Sequence, residues 1–182
     1  MAYIDLGLDE TRHPGINGLL AYRRETGRVL EALADALLVA PNTLTRGERE
    51  LIAAHVSGLN ECTFCMSSHS AFAAAQLDGG MPLVEEVRAD PGSAPVSPKL
   101  RALLRIAGAV QQTGRAVTPE LVDAARAEGA TDLEVHDTVL IAAAFCMYNR
   151  YVDGLGTLAP DQPGAYQAGV PFIVARGYSS EV

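Results

Sequence analysis

The sequence contains no tryptophan, only 5% aromatic residues and only short runs of β-branched residues. Alanine and leucine dominate instead, and both favour helices. The chain has 182 residues, which suits one domain or one domain with arms. Because a chain of this size buries roughly 70% of its unfolded surface, it does not need disulfide bridges to fold.

Positive charge is also scarce, since 14 Lys and Arg residues stand against 22 Asp and Glu residues, a net charge of −8. An acidic chain without a basic stripe is a poor partner for nucleic acid or an anionic membrane. No apolar stretch approaches the roughly 20 residues that span a bilayer. The N-terminus, MAYIDLGLDE, lacks the basic and apolar regions of a secretory signal. We therefore expect a cytoplasmic protein that binds neither nucleic acid nor a membrane.

Cysteine is rare as well, but two of the three cysteines form a CxxC pair, Cys62 and Cys65. In a reducing compartment such a pair is more often redox-active or metal-binding than a structural disulfide. We predict a helix over about 61–78, capped by Asn60, that carries both thiols and His69 on one face. The helix dipole at the first turn favours a thiolate at Cys62, and His69 could exchange a proton with Cys65.

Three kinds of site fit this spacing. A zinc site has no evident fourth ligand, because His55 or His136 would reach it only by accident of folding. Two buried structural thiols beside a hydrogen-bonded histidine are a second interpretation. Thiol redox chemistry is the third and suits the pattern best, because a thiol peroxidase needs an attacking thiol, a resolving thiol and a proton donor.

The rest of the chain is helical in pattern. Capping boxes are predicted for Thr45 with Glu48 and for Thr131 with Glu134. Apolar periodicity and turn residues predict helices at about 25–39, 46–59, 61–78, 81–89, 98–112, 119–128 and 132–152. We divide the chain into an N-terminal arm with a short helix (1–24), a helical domain (25–157) and an extended or loop-rich C-terminal tail (158–182).

A resemblance to the carboxymuconolactone decarboxylase superfamily is carried by two stretches, ERELIAAHVSGLNECTFCMSSHSAFA and FCMYNRYVDGLGT (residues 145–157). The likeness is to the AhpD-like alkylhydroperoxidase branch and its peroxidase-related members. The motif of that branch is a glutamate, eleven residues, CxxC, three residues and a histidine. Its four places are taken by Glu50, Cys62, Cys65 and His69.

The resemblance implies an all-α, AhpD-like helical bundle with the CxxC at the N-terminus of a central helix. It implies that Cys65 attacks a small hydroperoxide and that Cys62 is the resolving thiol. Glu50 and His69 would relay the proton through a water. Neither metal nor flavin is expected, and the reductant would be a dithiol or a protein of the lipoyl-bearing or thioredoxin-like kind. The resemblance also implies a homo-oligomer, a trimer or a hexamer.

The chain departs from the family pattern at one position, because the best-known members have a histidine directly before the second cysteine and this chain has Phe64. We expect a drier site with one polar partner fewer. Two other functions stay open: a lyase of the carboxymuconolactone decarboxylase type acting on a small cyclic acid, and a non-enzymatic thiol redox sensor. Among the remaining residues, His55 and Cys146 fit a buried core, whereas Asn149 and Arg150 could line a pocket or anchor the tail.

Overall fold

The computed structural model describes residues 1–162 and 164–179. These residues contain helices and no strand, so the predicted all-α fold is confirmed for the described part of the chain. None of their helices combines the length and the hydrophobicity of a membrane-spanning segment. The α-helices are α1 (Ile16–Tyr22), α2 (Arg24–Leu38), α3 (Arg46–Leu59), α4 (Thr63–Ala74), α5 (Gly80–Ala89), α6 (Pro98–Gln112), α7 (Pro119–Ala127), α8 (Asp132–Gly154), α9 (Gly164–Gln167) and α10 (Val170–Arg176).

Both predicted capping boxes are formed, and they fix where α3 and α8 begin. Thr45 Oγ1 accepts the Glu48 N–H at 3.2 Å, and the Glu48 carboxylate accepts the Thr45 N–H at 2.8 Å. Thr131 and Glu134 repeat the arrangement with the same two distances. Reciprocal caps of this kind satisfy N–H groups that a helix start leaves without partners, so these starts can be predicted from local sequence alone.

Helix α3 is the central element of the fold. Every residue from Arg49 to Ser57 is buried. The part from Leu51 to Ser57 contains no Asp, Glu, Lys or Arg, which is typical of a buried helix, whereas Arg49 and Glu50 are buried although their side chains are ionisable. Its most extensive packing is against α4, and it also contacts α6 and α8. The CxxC helix α4 therefore lies directly against the helix that carries Glu50.

Helix α4 is shorter than predicted, and its predicted cap is wrong. It covers Thr63–Ala74, and Cys62 occupies the N-cap position. Asn60 instead ends α3, and its side chain donates to Asn149 Oδ1 at 2.8 Å. Between them Glu61 has a φ of 59°, which turns the chain sharply from one helix into the next. The long-range bond to α8 thus removes Asn60 from the local capping role.

The C-terminal segment contains two helices, α9 and α10, where an extended or loop-rich tail was expected. A proline in the first turn of α10 supports its start, but its seven residues are too few to show a periodicity in the sequence. Helix α10 packs on α4, so the segment covers the CxxC helix. The division at residues 24 and 157 stays a prediction, and residues 163 and 180–182 of the predicted tail lie outside the described residues.

Candidate active site

Glu50 and His69 are brought into direct contact by the packing of α3 on α4. Glu50 Oε2 lies 2.6 Å from His69 Nδ1, so no intervening water is needed between these two side chains. The Glu50 carboxyl group is fully buried. The imidazole is packed edge-on against the rings of Phe145, at 4.6 Å between centroids, and Phe72, at 5.5 Å. The ring of His69 is therefore held in one orientation by a hydrogen bond and by two aromatic neighbours.

Tyr178 is a site residue that the sequence did not reveal. Its hydroxyl donates to Glu50 Oε1 at 2.6 Å, and its ring stacks on His69 with 6.0 Å between centroids. A carboxylate only accepts hydrogen bonds, so with Tyr178 on Oε1 the proton between Glu50 Oε2 and His69 lies on Nδ1. The Nε2 atom of His69 is then the nitrogen that can accept a proton from another group.

The two cysteines have different surroundings. Cys65 contributes to the wall of a cavity of about 390 Å³, whereas Cys62 is fully buried behind it with Phe64, Val152 and Tyr166. His69 lines the same cavity, so a ligand there meets one thiol and the imidazole together. The wall is formed by Ile16, Asn17, Leu20, Leu30, Glu31, Ala34, Phe64, Cys65, Ser68, His69, Phe72, Phe145, Tyr148, Gly169, Phe172, Ile173 and Tyr178.

The expected acidity of Cys62 is wrong. Its hydrogen bond with the Cys65 side chain and, after that, its burial raise the pKa of the Cys62 thiol well above the ordinary value. The prediction from the helix dipole assumed that Cys62 lies inside the first turn of the helix and that its thiol is in contact with water. In the structure Cys62 stands at the N-cap, surrounded by apolar side chains. The raised pKa favours the protonated form of the Cys62 thiol, and the order of the two thiols that the family resemblance implies stays a prediction.

Phe64 stands directly before Cys65, at the position where the resemblance implies a histidine. Its ring packs on Tyr166, with 5.9 Å between centroids, and is 7% exposed. It also lies against Gly15, which has a φ of 59° and where a Cβ atom would collide with the ring. The N-terminal residues thus pack against this phenyl ring at the cavity, and the drier site expected from the sequence stays a prediction.

The other residues that the sequence singled out lie away from this cavity. His55 is buried, lines a separate cavity and has a pKa lowered by burial. Asn149 is buried and donates to Ser57 Oγ at 3.0 Å, so it joins α8 to α3. Arg150 is exposed and donates to the Cys146 carbonyl of its own helix at 2.9 Å. In residues 1–162 and 164–179 no group of three or more His, Cys, Asp or Glu side chains could hold a metal ion.

Comparison with known proteins shows which proteins these features resemble. Residues 24–77, which include α3 and the CxxC-x3-His motif, match the model of the carboxymuconolactone decarboxylase family. No curated protein matched the chain significantly. A crystal structure of an alkylhydroperoxidase AhpD core, an uncharacterized peroxidase-related protein from Ralstonia eutropha JMP134, is 26% identical with a TM-score of 0.77. That match covers 93% of this chain and 95% of the other.

The resemblance to the AhpD-like branch of the carboxymuconolactone decarboxylase superfamily is confirmed. A second structure, of an uncharacterized peroxidase-related protein from Silicibacter sp. TM1040, shares the fold at 24% identity and a TM-score of 0.75, over 85% of this chain and 78% of the other. The AhpD-like bundle, with its CxxC at the start of α4, is thus the fold of this chain.

Proposed function

We propose that the protein is a thiol-dependent peroxidase that reduces small hydroperoxides by cycling Cys62 and Cys65 between a dithiol and a disulfide. One observation carries the proposal: a single cavity reaches Cys65 and His69, and His69 is hydrogen-bonded to the buried Glu50. An attacking thiol and a proton-exchanging group therefore face the same bound molecule, which general acid–base catalysis requires. Cys62, directly behind, supplies the second thiol.

The first step oxidises Cys65. Its proton passes to His69, and the thiolate attacks the outer oxygen of the hydroperoxide, so that an S–O bond forms and the O–O bond breaks. The leaving alkoxide takes the proton back from His69 and departs as an alcohol. The peroxide is thereby reduced by two electrons, and Cys65 becomes a sulfenic acid. Glu50 keeps the imidazole oriented and stabilises its charged form while it holds the extra proton.

The second step forms the disulfide. The Cys62 sulfur attacks the Cys65 sulfur, the S–S bond replaces the S–O bond, and the hydroxide leaves as water with the Cys62 proton. A dithiol reductant then returns two electrons and two protons and is itself oxidised to a disulfide. Because Cys62 is fully buried and only Cys65 lines the cavity, the reductant must attack the Cys65 sulfur. We also propose that this reductant is a lipoyl-bearing or thioredoxin-like protein of the cytoplasm, and that the chain assembles into a trimer or a hexamer.

The cavity wall favours a neutral organic substrate over a cyclic acid. Most of its side chains are aliphatic or aromatic, and its one carboxylate, Glu31, is paired with Arg24 through bonds of 2.8 and 3.2 Å. Among the described residues no lysine or arginine lines this cavity. A carboxylate-bearing lactone would be buried there without a positive partner, which is unfavourable. The composition of the cavity wall therefore supports the peroxidase proposal over the lyase alternative.

Thiol counting tests the proposal. With one equivalent of an organic hydroperoxide, the chain should lose two thiols and release one alcohol, and a dithiol should restore both thiols over repeated cycles. Cys62→Ser should stop at a sulfenic acid that a dimedone reagent traps, and Cys65→Ser should consume no peroxide. Cys146→Ser is the matched control, because its sulfur lies outside the cavity and two thiols should still be lost.

Each other outcome contradicts the peroxidase. Loss of two thiols without continued turnover in the presence of several dithiols indicates a redox sensor. No thiol loss, together with conversion of a cyclic acid that Cys65→Ser preserves, indicates a lyase.

A further inference from the structure

The C-terminal segment ends in a tyrosine that contacts the centre of the site. The Tyr178 hydroxyl lies 2.6 Å from Glu50 Oε1 and 3.4 Å from His69 Nδ1. Burial first, and then the charge and the hydrogen bond of Glu50, raise the pKa of Tyr178 well above its ordinary value. The hydroxyl is therefore a permanent donor and not a base. This contact joins residues that are 128 positions apart.

The backbone around Tyr178 is anchored on α2. Asp35 Oδ1 accepts the Tyr178 N–H at 2.6 Å, and Asp35 Oδ2 accepts the Ser179 N–H at 2.8 Å. Gly177 makes this possible, because its φ is 84° and a Cβ atom there would collide with Asp35 Oδ1. The Arg46 guanidinium fixes α10 just before this turn by donating to two of its last carbonyls, both at 2.9 Å.

The two oxygens of Glu50 have separate partners. Tyr178 donates to Oε1 and His69 Nδ1–H donates to Oε2, so each lone-pair side of a fully buried carboxylate is satisfied. Without the Tyr178 hydroxyl, Oε1 would be buried without a donor, at a considerable energetic cost. The carboxylate would then rotate to share the one remaining donor, which would weaken the hydrogen bond that orients the imidazole together with the rings of Phe72 and Phe145.

We propose that Tyr178 is a positioning residue of the thiol site, which holds Glu50 so that Oε2 faces His69 and thereby sets the reactivity of Cys65. The role in turnover rests on the peroxidase proposal, whereas the effect on Glu50 and His69 does not. The C-terminal segment is thus part of the site, and the site is complete only when Asp35 holds that segment in place.

The test compares Tyr178→Phe with Tyr22→Phe. Both substitutions remove one phenolic hydroxyl, but the Tyr22 side chain is 54% exposed and is not part of the cavity wall. Tyr178→Phe should slow the reaction of Cys65 with iodoacetamide and with hydroperoxide by about tenfold or more, the size expected for one hydrogen bond to a charged group. Tyr22→Phe should leave both rates unchanged. Asp35→Asn should act in the same direction as Tyr178→Phe, with a smaller effect.

A double-substitution cycle separates positioning from a general loss of stability. If Tyr178 acts through Glu50, adding Tyr178→Phe to Glu50→Gln should cause no further loss of Cys65 reactivity. The Nδ1 proton of His69, followed by NMR, should shift or broaden in Tyr178→Phe and stay unchanged in Tyr22→Phe. Additive losses, or an unchanged His69 resonance, overturn the proposal. If the NMR and alkylation effects are found but wild type does not reduce peroxide, the peroxidase proposal fails and the positioning role stands.

Discussion

Glu50 and Glu134 are both buried carboxylates near the starts of capping-box helices, but their partners differ. The Glu134 carboxylate accepts hydrogen bonds from Lys99 Nζ at 2.7 Å and from the Thr131 backbone N–H at 2.8 Å, and the Glu134 side chain is 2% exposed. Glu50 is fully buried and is bonded to a hydroxyl and an imidazole. The partner of Glu134 is an ammonium group, which only donates hydrogen bonds, whereas the imidazole beside Glu50 has two ring nitrogens that can donate or accept them.

The difference in partners separates a structural carboxylate from one suited to proton transfer. Burial acts to raise the pKa of Glu134, but hydrogen bonds from Lys99 and Thr131 outweigh it and hold that pKa at about 2. Glu134 therefore stays ionised and stabilises the start of α8. No salt bridge in the described residues joins Glu50 to a lysine or arginine, and the nearby Arg49 donates to the Leu37 carbonyl instead. Burial alone would not have told the two glutamates apart.

The largest expected effect is the loss of the Glu50 charge. Glu50→Gln should slow the oxidation of Cys65 by about 10²-fold or more, the usual contribution of a general acid–base group. The matched substitution Glu134→Gln should leave that rate unchanged. Single-turnover loss of thiols after mixing with hydroperoxide measures both. Equal rate losses in the two variants would mean that Glu50, like Glu134, serves only the stability of the fold.

The next effect is the acid sensitivity that Glu134 confers. In the folded protein the pKa of Glu134, about 2, lies below the ordinary 4.5. The stabilisation that Glu134 gives to the folded state is therefore fully present above pH 4.5 and is lost as the pH falls from about 4.5 through about 2. With an allowance for the 30% exposure of Lys99, we expect about 2 kcal/mol in the free energy of unfolding. Urea titrations at pH 7, 4 and 3 measure it. A Lys99→Met chain with the same slope against pH would show that the pair is not the cause.

Sequence predicted the elements whose causes are local. The bounds of α3 and of α6 agree with the expected 46–59 and 98–112, because a capping box and a Ser-Pro start each need only neighbouring residues. The family motif implied that Glu50 and His69 lie in one site with a water between them, whereas the structure joins the two side chains directly. This contact depends on α3 packing against α4, but both helices and both positions were available from the sequence.

Sequence could not predict features set by distant partners. Asparagine is a common N-cap residue, but the Asn60 side chain donates its hydrogen bond to Asn149 of α8 instead. Tyr178 follows a glycine-rich stretch with no helical period, and only Asp35, far away along the chain, fixes its place. The Cys62 acidity was judged from the helix dipole, whereas its hydrogen bond with Cys65 and its burial decide the direction of the pKa. In each case a tertiary contact outweighed a correct local rule.

The smallest expected effect compares the two caps. Thr45→Ala and Thr131→Ala should each lower the free energy of unfolding by about 1 kcal/mol, as the loss of an N-cap side chain usually does. Thr45→Ala should also slow Cys65 oxidation severalfold, because its helix carries Glu50 little more than one turn from the cap. Thr131→Ala should leave that rate unchanged, since α8 meets the cavity only further along, at Phe145 and Tyr148. Chemical denaturation and single-turnover kinetics on both variants measure this, and a rate loss of the same size in Thr131→Ala would show that turnover follows overall stability and not the position of Glu50.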